Sequence, residues 1–79
     1  PVQVQVTITT DKITDITVLQ QPSGNREDRQ INSSALPELH DQVIAAQSAN
    51  IDGVSGATVT SDGYRESLQA ALDAAHFPG

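Results

Sequence analysis

Val2-Gln3-Val4-Gln5-Val6-Thr7-Ile8-Thr9 alternates apolar and polar side chains without a break. Period-two alternation in β-favouring residues is the pattern of a strand with one buried and one wet face. The polar Thr10-Asp11-Lys12 supplies a tight connection, and residues 13–20 form a second β-rich run with Ile16 and Val18 on one face. Together the two runs predict an antiparallel hairpin. A lone hairpin is marginal in water, so an apolar element must cover its valine and isoleucine face.

The second half of the chain supplies that cover. Residues 34–49 place Leu36, Leu39, Val43 and Ala46 three or four apart, with Ile44 adjoining, which makes a helical apolar stripe. Ser33 or Ser34 can cap its start, Pro37 constrains the first turn, and Asn50 is a reasonable stop. Residues 62–76 repeat the spacing with Tyr64, Leu68, Ala71, Leu72 and Ala75 on one face, ended by Pro78-Gly79. The order strand, strand, helix, helix predicts a small α+β fold, an antiparallel hairpin with two helices packed on it. Between hairpin and helix, residues 21–34 read as a polar surface loop, Pro22-Ser23-Gly24-Asn25 followed by Arg26-Glu27-Asp28-Arg29. Its arginines are either solvated charge or a clasp that folds back over an anionic ligand. Asn32-Ser33-Ser34 fits the glycosylation triplet, a match too short to carry weight.

Bulk properties narrow the function. Seventy-nine residues make one domain, which reads as part of something longer because it starts at Pro1 directly before a strand. A chain this size buries only about 60% of its unfolded surface. With one Tyr, one Phe and no Trp, the core must be aliphatic. A multi-step enzyme with a deep cleft is not expected. The net charge of −6, with Lys12, Arg26, Arg29 and Arg65 as the basic residues, is wrong for tracking nucleic acid. There are no cysteines for a disulfide or thiol metal site, and His40 and His76 lack partners at metal-ligand spacing. No targeting segment and no apolar run long enough to span a bilayer is present, so direct membrane insertion of this segment is not expected.

Residues 52–61, Asp52-Gly53-Val54-Ser55-Gly56-Ala57-Thr58-Val59-Thr60-Ser61, hold two glycines and four hydroxyl side chains just before the second helix. Composition alone fits an ordinary turn in which Thr60, Ser61 or Asp62 caps the helix. The same features suit a phosphate. Glycines let backbone approach closely, and a helix start offers unpaired N–H groups and a favourable dipole. Arg65, one turn in, could add compensating charge, whereas Asp52 and Asp62 would oppose an anion. The Gly53-Val54-Ser55-Gly56-Ala57 run departs from a hydrolase nucleophile elbow at its last position.

The segment resembles the signature of the bacterial FMN-binding domain, found in the sodium-pumping NADH:quinone oxidoreductase, the related Rnf complex and small extracytoplasmic flavoproteins. That signature is Asp, two residues, Ser/Thr-Gly-Ala-Thr/Ser, one residue, then Ser/Thr, and residues 52–60 satisfy each position. The resemblance implies FMN as cofactor, esterified through its phosphate by a separate Mg²⁺-dependent flavin transferase that uses FAD. It implies Thr60 as acceptor, with Thr58 and Ser61 close enough to compete for that role. Ser55, Gly56, Ala57 and Thr58 would shape the loop and hydrogen-bond the cofactor, Gly53 would permit its turn, and Asp52 would fix it or serve the transferase. It further implies an electron-transfer domain without a catalytic acid or base, in an extracytoplasmic or membrane-associated setting with redox partners nearby. Tyr64 and Phe77 are the aromatic rings available to stack on a flavin. Two other functions compete with this reading: a module that holds flavin or another phospholigand reversibly, and a docking domain whose loop is merely a cap.

Overall fold

The computed structural model describes residues 2–20 and 26–77, apart from the side chains of Glu27 and Asp28. Pro22-Ser23-Gly24-Asn25 and Pro78-Gly79 lie outside the described residues. The element order is β1 (Gln3–Thr9), β2 (Lys12–Gln20), α1 (Arg26–Ala46) and α2 (Thr58–Ala74), the expected β-β-α-α arrangement of an α+β fold. β1 and β2 pair antiparallel, and α2 packs over β1 while α1 packs over β2.

Thr10 and Asp11 make the hairpin turn, both at positive φ (53° and 63°), and Lys12 already belongs to β2. Two positive-φ residues are what a type I′ connection requires, because its twist matches that of the strands. Two irregularities then reset the register. Thr7 faces Asp15 while Ile8 faces Ile13, leaving Thr14 as the extra residue; Gln3 faces Gln20 while Val4 faces Val18, leaving Leu19 over. A bulge shifts the inward set by one residue. That is why Ile13 and Ile16, three apart, are both buried, while Leu19 stays exposed.

The core joins Val2, Val4, Ile13 and Ile16 of the hairpin to Leu39 and Val43 of α1, Ala49 and Ile51 of the connection, and Tyr64, Leu68 and Leu72 of α2. Each fully buried Leu or Val here contributes roughly 1.5–3 kcal/mol. Hydrogen bonds stitch the layers as well. The Val4 N–H donates to Ser67 Oγ at 3.0 Å. Gln47, at φ 54° just past α1, accepts the Ile13 N–H through Oε1 at 2.7 Å and donates from Nε2 to the Ile13 carbonyl at 2.9 Å. Its carboxamide behaves as one more residue of strand alongside β2.

Both helices start earlier than expected. Residues 26–34, expected as loop, are the first turns of α1, and Pro37 sits inside the helix. Arg26-Glu27-Asp28-Arg29-Gln30 are acceptable helix formers, and Asn32, Ala35 and Leu39 continue a buried stripe three to four apart. Ser33 does not cap the helix; its hydroxyl donates to the Gln30 carbonyl at 3.1 Å. Ala46 and Ala75, expected on the apolar faces, are exposed, and α1 stops before Gln47 rather than at Asn50. α2 begins at Thr58, so Thr60, Ser61 and Asp62 lie within it and none is its cap. No helix among the described residues is long and apolar enough to cross a membrane.

Candidate functional site

The motif loop is held from three sides. Gln42 of α1 grips the backbone of Gly53 twice, accepting its N–H at 3.0 Å and donating to its carbonyl at 2.9 Å. Ser61 Oγ, buried on α2, accepts the Val54 N–H at 3.0 Å. Arg65 donates through Nη1 to the carbonyls of Ile51 (3.0 Å) and Asp52 (3.1 Å), and its Nη2 pairs with Asp62. Arg65 is therefore a loop staple that also neutralises Asp62. The Asp52 side chain is exposed, and its residue contributes to the loop through its carbonyl.

Gly53 and Gly56 both take positive φ, 90° and 85°, in conformations that L side chains rarely adopt. A Cβ on Gly53 would meet Ser61 Cβ at 3.1 Å and Arg65 Nη1 at 3.2 Å, whereas a Cβ on Gly56 would meet nothing within 4 Å. Gly53 is therefore needed for packing. Gly56 leaves its backbone bare beside open space.

That space is an open groove of about 510 Å³ lined by Ile31 and Asn32 of α1 and by Gly56, Ala57, Thr58, Val59 and Thr60. A neighbouring depression, lined among others by Ser34, Ala35, Val54 and Ser55, shares Ile31, Gly56 and Ala57 with it. α2 opens into the groove without a side-chain cap at Ala57, and Ser61 is where an N–H first reaches a carbonyl of the preceding turn, that of Ala57 at 2.8 Å. The Ala57 N–H donates to the Val54 carbonyl at 3.1 Å. That leaves the N–H groups of Thr58, Val59 and Thr60 as the donors that a helix start holds without an intrahelical carbonyl, the kind of group that binds an anion.

The three hydroxyls in question now differ in kind. Thr58 is exposed on the groove. Thr60 also lines it but is 6% exposed, and its Oγ1 donates to Asn32 Oδ1 at 2.6 Å. Ser61 faces the Gly53–Val54 backbone and does not line the groove. Asn32 itself is 2% exposed, which removes any glycosylation reading of the triplet it opens. Tyr64 is fully buried in the core, so its ring is not offered to a ligand. The apolar surfaces at the groove are Ile31 and the 79%-exposed Val59.

The sequence model of the family described as FMN-binding domain matches residues 1–73. The chain belongs to the FMN-binding domain family. Its cofactor is FMN, which supplies redox chemistry when bound. The domain is 36% identical over 72 residues to an NADH:acrylate oxidoreductase of Vibrio harveyi, a match covering 91% of this chain and 7% of that protein. The FMN-binding domain therefore spans a small fraction of the length of the curated relative it matches.

The residues present fit the cofactor. The groove falls within the roughly 300–1,000 Å³ of small-molecule sites. Uncapped N–H groups suit the phosphate, and the pairing of Asp62 with Arg65 lowers the repulsion that an acidic neighbour would cause. Among the described residues, no three His, Asp or Glu gather as a metal site. Sequence reasoning missed Ile31 and Asn32 because it placed them in a loop, and missed Gln42 because a glutamine on a helix carries no local signal of what it grips.

Proposed function

We propose that this domain is an electron carrier in which FMN is joined by a phosphoester to Thr58. The observation that carries the choice of residue is the contrast between two threonines on one groove. Thr58 is exposed at the first position of α2, while Thr60 is buried with its proton committed to Asn32. A transferase can reach the Thr58 hydroxyl without opening the fold; reaching Thr60 requires breaking a buried hydrogen bond. In the transfer, Thr58 Oγ1 bonds to the flavin-side phosphorus of FAD, the pyrophosphate P–O bond breaks, AMP leaves, and the hydroxyl proton passes to a base on the transferase. The first N–H groups of α2 would hold the phosphate, where the dipole favours its charge.

Ile31 and Val59 offer aliphatic surface to the flavin, and the glycine backbone at position 56 allows close approach. A shallow aliphatic site gives little affinity of its own, which is the physical reason for a covalent bond. Service within a longer redox protein, and an extracytoplasmic or membrane-associated setting with a flavin transferase as modifying partner, belong to the same proposal and rest on the family resemblance and the oxidoreductase named above.

Co-expression with a flavin transferase followed by intact mass spectrometry tests the assignment. The wild-type mass is expected to rise by FMN minus water, Thr58→Ala to stay unmodified, and Thr60→Ala to accept flavin. Modification of Thr58→Ala together with its loss in Thr60→Ala would return the assignment to Thr60.

A further inference from the structure

The hydrogen bond from Thr60 Oγ1 to Asn32 Oδ1 joins residues 28 apart in sequence, both almost fully buried, at 2.6 Å. Asn32 and Thr60 both line the groove, one from α1 and one from the first turn of α2, and their hydrogen bond joins the two helices there. A threonine in a helix commonly returns its hydroxyl to a carbonyl of the preceding turn; the Thr60 hydroxyl instead reaches across to α1.

We infer that Asn32 and Thr60 form a positioning pair that fixes the first turn of α2 against α1 and so sets the direction of the Thr58 hydroxyl. This inference rests on Thr58 as the acceptor. Thr58 and Thr60 are the first and third residues of α2, so a rotation of that turn moves both together. With Thr60 locked to Asn32, the Thr58 hydroxyl and the uncapped N–H groups share one orientation toward the groove. Without the lock, the turn is held by Ser61 and the loop below it, and the threonine samples directions from which transfer is slow. A neutral carboxamide suits this post: it accepts the hydroxyl proton without placing a negative charge beside an incoming phosphate. Thr60 and Asn32 touch neither reacting atom in this scheme, so they position the acceptor and do not take part in the bond changes.

The test uses the whole chain with purified flavin transferase, FAD and Mg²⁺, following intact mass over time. Thr60→Val keeps shape and loses the donor. Its kcat as a transferase substrate is expected to fall about tenfold with KM nearly unchanged, because each tenth of the rate corresponds to about 1.4 kcal/mol, the size of one such bond. Modification should still reach completion. Thr60→Ser restores the hydroxyl and should recover most of the rate. Transfer to Thr60→Val within twofold of wild type overturns the positioning role and leaves Thr58 as acceptor. Complete absence of modification in Thr60→Val, with Thr60→Ser and Thr58→Ala both modified, overturns the Thr58 reading itself. A measurement on the wild type alone guards against misfolded variants. The Thr60 hydroxyl proton should give an exchange-protected NMR signal coupled through space to Asn32, before and after flavin attachment. Its disappearance on modification overturns the inference.

Discussion

A methyl group added at Gly53 would press on Ser61 Cβ at 3.1 Å while its backbone held a φ of 90°. Gly53→Ala is expected to cost about 1–3 kcal/mol, read from urea or thermal unfolding, and to loosen the loop that Gln42 grips. Gly56→Ala carries the backbone strain without the clash and should cost less. Tyr64 offers a second residue-scale test. Its hydroxyl is buried without a hydrogen-bond partner, and burial, with the Asp15 charge behind it, pushes its pKa up to about 12. An orphaned buried hydroxyl is a liability, so Tyr64→Phe should be neutral or stabilising. The neutral phenol is favoured in the fold, so stability falls as pH rises from the unfolded value near 10 toward 12. That alkaline decline should flatten in Tyr64→Phe. The Tyr64 pattern was legible as an inward helical position. That it would spend its whole ring on the core was not, because spacing gives a direction and not a depth.

Among elements, α1 shows where local reading runs out. Leu36, Leu39 and Val43 marked its second half, but Pro37 looked like a beginning and the charged run before it looked like a loop. Tertiary packing decides the matter, since Asn32 and Ala35 are buried against other elements, which no nearby residue reveals. The hairpin was legible from alternation, yet its bulges at Thr14 and Leu19 were not, since unbroken alternation from Ile16 and Val18 puts Ile13 on the opposite face, and only the bulge brings it inward. α1 is also tied to β2 by His40, whose Nε2 lies 2.9 Å from Asp15 Oδ1, with Asp41 at 3.4 Å from Nδ1. The Asp15 hydrogen bond chiefly raises the His40 pKa above its ordinary 6.5, and His40 in turn lowers that of Asp15 below 3.8. The histidine part of this stability is fully present below about 6.5 and is lost as pH rises through the raised value; the aspartate part is lost as pH falls below its ordinary range. Thermal midpoints of the wild type should therefore decline from pH 6 toward pH 8 more than those of His40→Gln. The difference should be small, and smaller at high salt.

At the level of the whole molecule, a single core, aliphatic apart from the buried ring of Tyr64 and the Phe77 packed against it, supports both the fold and the groove. Leu68 is fully buried within it, and Leu68→Ala is expected to cost roughly 2–5 kcal/mol, a large part of the roughly 5–15 kcal/mol typical of native domains. Circular dichroism melts should show a steep drop in midpoint. The motif loop was readable as a phosphate-suited segment before a helix, and the family assignment bears out FMN as the cofactor. The groove was not readable, since one wall comes from residues some 25 positions upstream that met the loop only on folding.

The openness of that groove has one more consequence. If FMN is attached at the start of α2 as proposed, the flavin ring would remain within the reach of its ribityl chain, and short flexible tethers hold a group at an effective concentration on the order of millimolar. Docking of the ring against Ile31 and Val59 would then be an intramolecular equilibrium, which an intrinsic affinity of about 1 mM would leave near even. Near such a balance small biases would count, and a redox partner approaching the exposed lip at Val59 would draw the ring outward at little energetic cost.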